Sequence, residues 1–79
     1  MTAVHGGDAV LLSRYAPDVV HQALALLPVS QREVLVRRLL QRKTITEVAD
    51  ILGRSRGAVK QLQHRGMRNL DRFVVAAQE

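Results

Sequence analysis

From Ala16 onward the apolar positions of this chain recur with a helical period. Val20, Ala23, Leu24 and Leu27 follow the spacing of a single helix face, Pro17 suits a first helical position where its missing N–H leaves no bond unmade, and Pro28 ends the run. Ser30-Gln31-Arg32-Glu33 has the form of a capping box, in which a serine hydroxyl accepts from the Glu33 N–H while the carboxylate reaches back. The helix it predicts carries Val34, Leu35, Val36, Leu39 and Leu40. At 100° per residue those five span an arc of roughly 240°, wider than the stripe a surface helix needs, so part of that surface is expected to meet a partner. A second box, Thr44-Ile45-Thr46-Glu47, opens a helix of about two turns with Ile45, Val48, Ala49 and Leu52 on one face. Gly53 stands where a left-handed C-terminal cap belongs. Ser55 is the next N-cap, and a final helix runs toward Ala77 with Val59, Leu62, Gly66, Leu70 and Phe73 inward. Gly66 on that inner stripe predicts close helix packing. The pattern is all-α: a small four-helix domain with a C-terminal helix-turn-helix.

Residues 1–15 have a different character. Gly6-Gly7 breaks any helix, Val10-Leu11-Leu12 is too short to stand alone, and a single turn capped by Asp8 would end before Pro17. They are expected to form a linker or chain end, with the domain occupying 16–79.

Composition narrows the chemistry. The 79 residues lack cysteine, which excludes disulfides and thiolate chemistry, and His5, His21 and His64 have no metal-ligand spacing. Apolar residues make up 47% of the chain, but Tyr15 and Phe73 are its only aromatics, as in a small core of Leu, Val, Ile and Ala. No apolar run suffices to span a membrane, and the N-terminus lacks the basic-then-apolar order of a signal peptide, so a cytoplasmic protein without membrane insertion is expected. No paired carboxylates, nucleophile–base arrangement or phosphate-cradling loop can be assembled, so neither an enzyme nor a cofactor is expected.

Charge changes the picture most. The net charge is +5, and eleven of the twelve Lys and Arg fall between residues 32 and 72, where only Glu33, Glu47, Asp50 and Asp71 oppose them. Such a field suits a polyanion, with nucleic acid the leading candidate. A short helix, a Gly-containing turn and a longer basic helix make up the helix-turn-helix pattern, whose second helix enters the major groove by its N-terminal end. With Val59 as the inward reference, Arg56, Lys60, Gln61, His64, Arg68 and Arg72 fall off the apolar stripe. Lys and Arg can pair with guanine, and Gln with adenine, at base edges. The plainer alternative is a solvated basic face, but six bases between Arg54 and Arg72 against one acid, after such a turn, favour nucleic acid.

The same residues resemble region four, the C-terminal domain, of bacterial sigma factors, in particular the extracytoplasmic-function group. Leu27-Pro28, Gln31-Arg32-Glu33-Val34-Leu35, Glu47-Val48-Ala49 with Leu52-Gly53, and Gly57-Ala58-Val59-Lys60 followed by His64-Arg65 carry the resemblance, which covers Leu24 through Leu70. It implies a winged-helix-like helix-turn-helix domain that recognises the promoter −35 element, touches the β-subunit flap of the RNA polymerase core and is a target of anti-sigma factors. By position it implies base reading by Lys60, Gln61, His64, Arg65 and Arg56, with Thr44, Thr46 and Arg54 near phosphates. Lys60-Gln61-Leu62-Gln63 places its apolar residue one position earlier than is common in that group, nearer the housekeeping type. Gly57 stands where housekeeping members have an acidic reader.

Other assignments follow from chemistry. Arg65, Arg68 and Arg72 suit phosphates more than base edges, and Arg37, Arg38, Arg42 and Lys43 are expected along the DNA flank or in solvent. Val36, Leu40, Val74 and Val75 either complete the core or face a partner, whether polymerase or an anti-sigma factor. A single helix without a dimer partner implies a monomer in isolation that binds DNA weakly. Two alternatives are a protein-interaction module whose basic helix a partner sequesters, and the DNA-binding domain of a LuxR-type response regulator.

Overall fold

Proline geometry sets the first corner of the fold. The computed structural model describes residues 16–78, which form α1 (Pro17–Ala25), α2 (Val29–Leu35), α3 (Ile45–Leu52) and α4 (Arg56–Gln78). The segment assigned to residues 1–15, with its turn at Asp8, lies outside the described residues. Among the described residues there is no strand, and no helix is long and apolar enough to cross a membrane. Pro17 begins α1 after an extended Ala16, and α1 closes where the Leu26 and Leu27 N–H groups donate to the Ala23 and Leu24 carbonyls, each at 3.1 Å.

The capping box expected at Ser30 does not form. Pro28, with φ −53° and ψ 147°, is itself the N-cap residue, and its carbonyl accepts from the Arg32 N–H at 3.0 Å. Because α2 thus starts at Val29, Ser30 falls inside the first turn, where its hydroxyl cannot serve as a cap. It accepts instead from Arg54 Nη2 at 3.1 Å, while the Glu33 carboxylate accepts from Arg37 at 2.6 Å.

Beyond Leu35 the backbone widens into a π-helical turn, Val36–Leu40, in which the Gln41 N–H reaches back to the Val36 carbonyl at 3.1 Å. A π turn holds more residues than an α turn, so side chains after it point elsewhere than a uniform 100° step predicts. The wide apolar arc is largely absorbed by the core: Val34 and Leu35, before the π turn, are fully buried, and Val36 and Leu39, within it, are half-buried against the core. Only Leu40 stays exposed, at 44%. The chain then reverses through Arg42, whose φ of 58° is left-handed, and the Lys43 N–H donates to the Arg37 carbonyl at 2.9 Å.

Among the described residues two apolar clusters result, and α4 is the wall they share. The larger joins Val20, Ala23, Leu24 and Leu27 to Leu35 of α2 and to Leu70 and Val74 of α4, with Met67 and Phe73 packed against it. The smaller joins Val34 to Val48 and Ala49 of α3 and Val59 of α4, flanked by Ile45, Leu52 and Leu62. Val74 is thus corrected from a possible partner-facing residue to a fully buried one, because it shares the inner face of α4 with Leu70. Its neighbour Val75 points away and is 44% exposed.

Gly66 sits where α4 packs tightly on α2. A Cβ there would stand 3.1 Å from Leu35 Cδ1, 3.2 Å from Leu35 Cγ and 3.4 Å from Gln31 Cβ. Gly66→Val should therefore overpack the α2–α4 crossing by about 1–3 kcal/mol. The expected loss in melting temperature is about 4–8 °C per kcal/mol for a domain of this size, measured by circular dichroism. A variant that melts with the parent would show that the crossing has slack.

Candidate nucleic-acid interface

The helix-turn-helix is built from α3, a three-residue turn and the start of α4, and each junction has a local cause. At the N-terminus of α3 the Glu47 N–H donates to Thr44 Oγ1 at 3.1 Å, and the Thr44 N–H donates to Glu47 Oε1 at 2.8 Å, completing the capping box. At its C-terminus Gly53 takes φ 64° and ψ 36°, and the Arg54 N–H donates back to the Ala49 carbonyl at 3.0 Å. That left-handed residue costs a glycine little and turns the chain sharply. Ser55 then opens α4: its hydroxyl accepts from the Ala58 N–H and its carbonyl from the Val59 N–H, both at 3.1 Å. Val59 and Leu62 pack on α3, which fixes the rotation of α4 about its axis.

With that rotation set, all nine proposed DNA-contacting residues (Arg56, Lys60, Gln61, His64, Arg65, Thr44, Thr46, Arg54 and Arg68) are exposed. Lys60, Gln61, His64 and Arg65 come together, lining one shallow open depression on the outer side of α4. Arg65 also borders a second depression with Arg68, Arg72, Gln31 and Asn69. Arg56 is the first residue of α4, while Thr44, Thr46 and Arg54 come from the start of α3 and the turn. Two of these have structural partners: the Thr44 hydroxyl serves the cap, and Arg54 holds Ser30.

Other basic residues are committed elsewhere. Arg37 pairs with Glu33, and Arg38 donates from Nη1 to the Lys43 carbonyl at 2.8 Å and from Nε to Gln63 Oε1 at 2.9 Å. Both were expected along a DNA flank or in solvent. Arg38 instead ties the turn before α3 to α4, a role that the one-dimensional pattern has no means of signalling. Gln63 is half-buried, and its Oε1 accepts from Arg38.

The match to known proteins follows the same boundaries. The sigma-70 region 4 family model covers residues 23–72, and the chain belongs to that family of helix-turn-helix, DNA-binding transcription domains. Among curated proteins it is similar to the ECF RNA polymerase sigma factor SigD of Mycobacterium tuberculosis and of Mycobacterium bovis, each 36% identical over 58 residues. Those alignments take in 73% of this chain and 27% of the relatives, so the chain spans about a quarter of their length. No solved structure gives a significant match.

One titratable group is tuned by the motif. The Thr44 backbone N–H, then the Thr44 hydroxyl, hold the Glu47 carboxyl below its ordinary value, and Lys43 adds to the effect. A depressed folded-state pKa contributes stability above the unfolded value of 4.5 that is lost as pH falls through the lower folded one. Glu47→Gln should preserve the hydrogen-bond acceptor and remove that acid dependence. Thermal melts from neutral pH downward should show the parent losing its margin over the variant, and parallel curves would contradict this.

Proposed function

We propose that this chain is the promoter −35-reading domain of an extracytoplasmic-function sigma factor. In that role it acts within an RNA polymerase holoenzyme, docks on the β-subunit flap and is held inactive by an anti-sigma factor. The observation that carries the reading is the exposed depression formed by Lys60, Gln61, His64 and Arg65, on the part of α4 that a helix-turn-helix presents to the major groove. The similarity to SigD supports the choice of group.

In this reading Lys60 and Gln61 contact base edges, where a good bidentate pair discriminates by about 1–3 kcal/mol. His64 and Arg65 flank them on the same surface, and Arg56 is the first residue of the helix. Arg68, two turns beyond Gln61, holds a phosphate. Thr44, Thr46 and Arg54 stand near the backbone at the mouth of the motif, and exposed Leu40 and Val75 offer apolar contact to a protein partner. One helix with few phosphate contacts and no dimer places the isolated monomer near the non-specific range of about 10⁻⁴–10⁻⁶ M.

Fluorescence anisotropy against duplexes varied through the −35 hexamer tests the assignment. Lys60→Ala and Gln61→Ala should re-rank the duplexes, whereas Arg68→Gln should weaken all of them about equally. Affinity purification of the full-length parent protein from its own cells should bring down polymerase core subunits and a small regulator. A DNA-binding dimer without polymerase would overturn the proposal.

A further inference from the structure

The outer face of α4 does not end with the base-reading residues. At 100° per residue Gln61, Arg65, Arg68 and Arg72 fall in one stripe about 60° wide, opposite the buried line of Val59, Gly66 and Leu70. Asp71 lies about 100° round the helix from Arg72, leaving the stripe without a carboxylate. Arg72 is also held in place: its Nη2 donates to Asn69 Oδ1 at 2.7 Å, and Asn69 Nδ2 donates to Gln31 Oε1 of α2 at 2.9 Å. The exposed guanidinium is thus braced through the body of the domain, bordering a depression that shares Arg65 with the base-reading one.

We propose that Arg72, positioned by Asn69 and Gln31, makes a sequence-independent contact to a DNA phosphate and extends the interface along the C-terminal half of α4. The inference rests on the DNA-binding reading above. The eleven residue steps from Gln61 to Arg72 span about 16 Å of helix, against a major groove about 12 Å wide. A straight helix with Gln61 at the base edges therefore carries Arg72 out to the phosphate wall. Guanidinium groups suit that wall, since they offer paired donors in a fixed plane.

Salt dependence separates this contact from base reading. The whole chain is titrated against a −35 duplex and a scrambled duplex over a range of KCl concentrations, with circular dichroism confirming that each variant folds. Arg72→Gln should weaken both duplexes alike and make the slope of log K against log salt shallower by about 0.9, the loss of one phosphate contact. Asn69→Ala, which keeps the charge and removes its brace, should weaken both by about two- to tenfold, the cost of ordering a freed side chain. Gln61→Ala should change discrimination and leave the slope alone. Arg32→Gln removes an equal charge from a side chain that bonds the Ala25 carbonyl, away from the stripe, and should leave the slope near the parent's. An Arg72→Gln slope equal to the parent's or to that of Arg32→Gln, or an Asn69→Ala affinity equal to the parent's, overturns the inference and leaves base reading by Gln61 standing. A parent chain that binds neither duplex even at the lowest salt overturns the DNA-binding reading, and this inference with it.

Discussion

The close approach of α2 to α4 at Leu35 and Gly66 is the constraint on which the rest of the domain depends. Leu35 is fully buried, and a Cβ on residue 66 would stand 3.1 Å from its Cδ1, close enough that the leucine would have to give way slightly. A glycine inside a helix costs roughly 0.5–1 kcal/mol against alanine, a cost offset here by packing that a larger residue would prevent. Gly66 also sits near the middle of α4, between Val59 in the smaller cluster and Leu70 and Val74 in the larger. A shift at this crossing would therefore be felt in both cores.

Because α4 is one unbroken helix from Arg56 to Gln78, the packing of its C-terminal half sets the attitude of its N-terminal half. α1 and α2 grip the former, and α3 grips the latter through Val48, Ala49 and Val59. Arg38 adds a polar tie, with one donor on the turn leading to α3 and another on Gln63 of α4. The surface that can meet DNA is thus a rigid rod braced at both ends. Such a rod presents Lys60, Gln61, His64 and Arg65 together without any of them bonding to one another.

Much of this was legible in one dimension, for reasons that differ by element. Thr44, Gly53 and Ser55 act as the sequence suggests because caps are local: each needs only a hydroxyl or a tolerated left-handed φ within four residues of its partners. Ser30 has the same local signature and fails, because Pro28 already starts the helix and Arg54, 24 residues away, takes the hydroxyl. The exposed side of α4 was legible because one inward residue, Val59, sets the phase of a regular helix. The facing of Val36, Leu39 and Leu40 was not, because the π turn that follows α2 departs from that regular phase from Val36 onward.

The pattern along the chain specifies the four helices, the helix-turn-helix order and the basic character of α4, and its motifs carry the resemblance that the family match bears out. The helices, their order and the charge depend on periodicity, caps and side chains that act over a few residues. Only the tertiary structure decided that Val74 belongs to the core, that Arg37 and Arg38 are occupied within the domain, and that Arg72 is braced through Asn69 to Gln31. Each of those outcomes depends on which helix lies alongside at that point. The competition among donors, acceptors and space across helices is resolved only when the chain is packed.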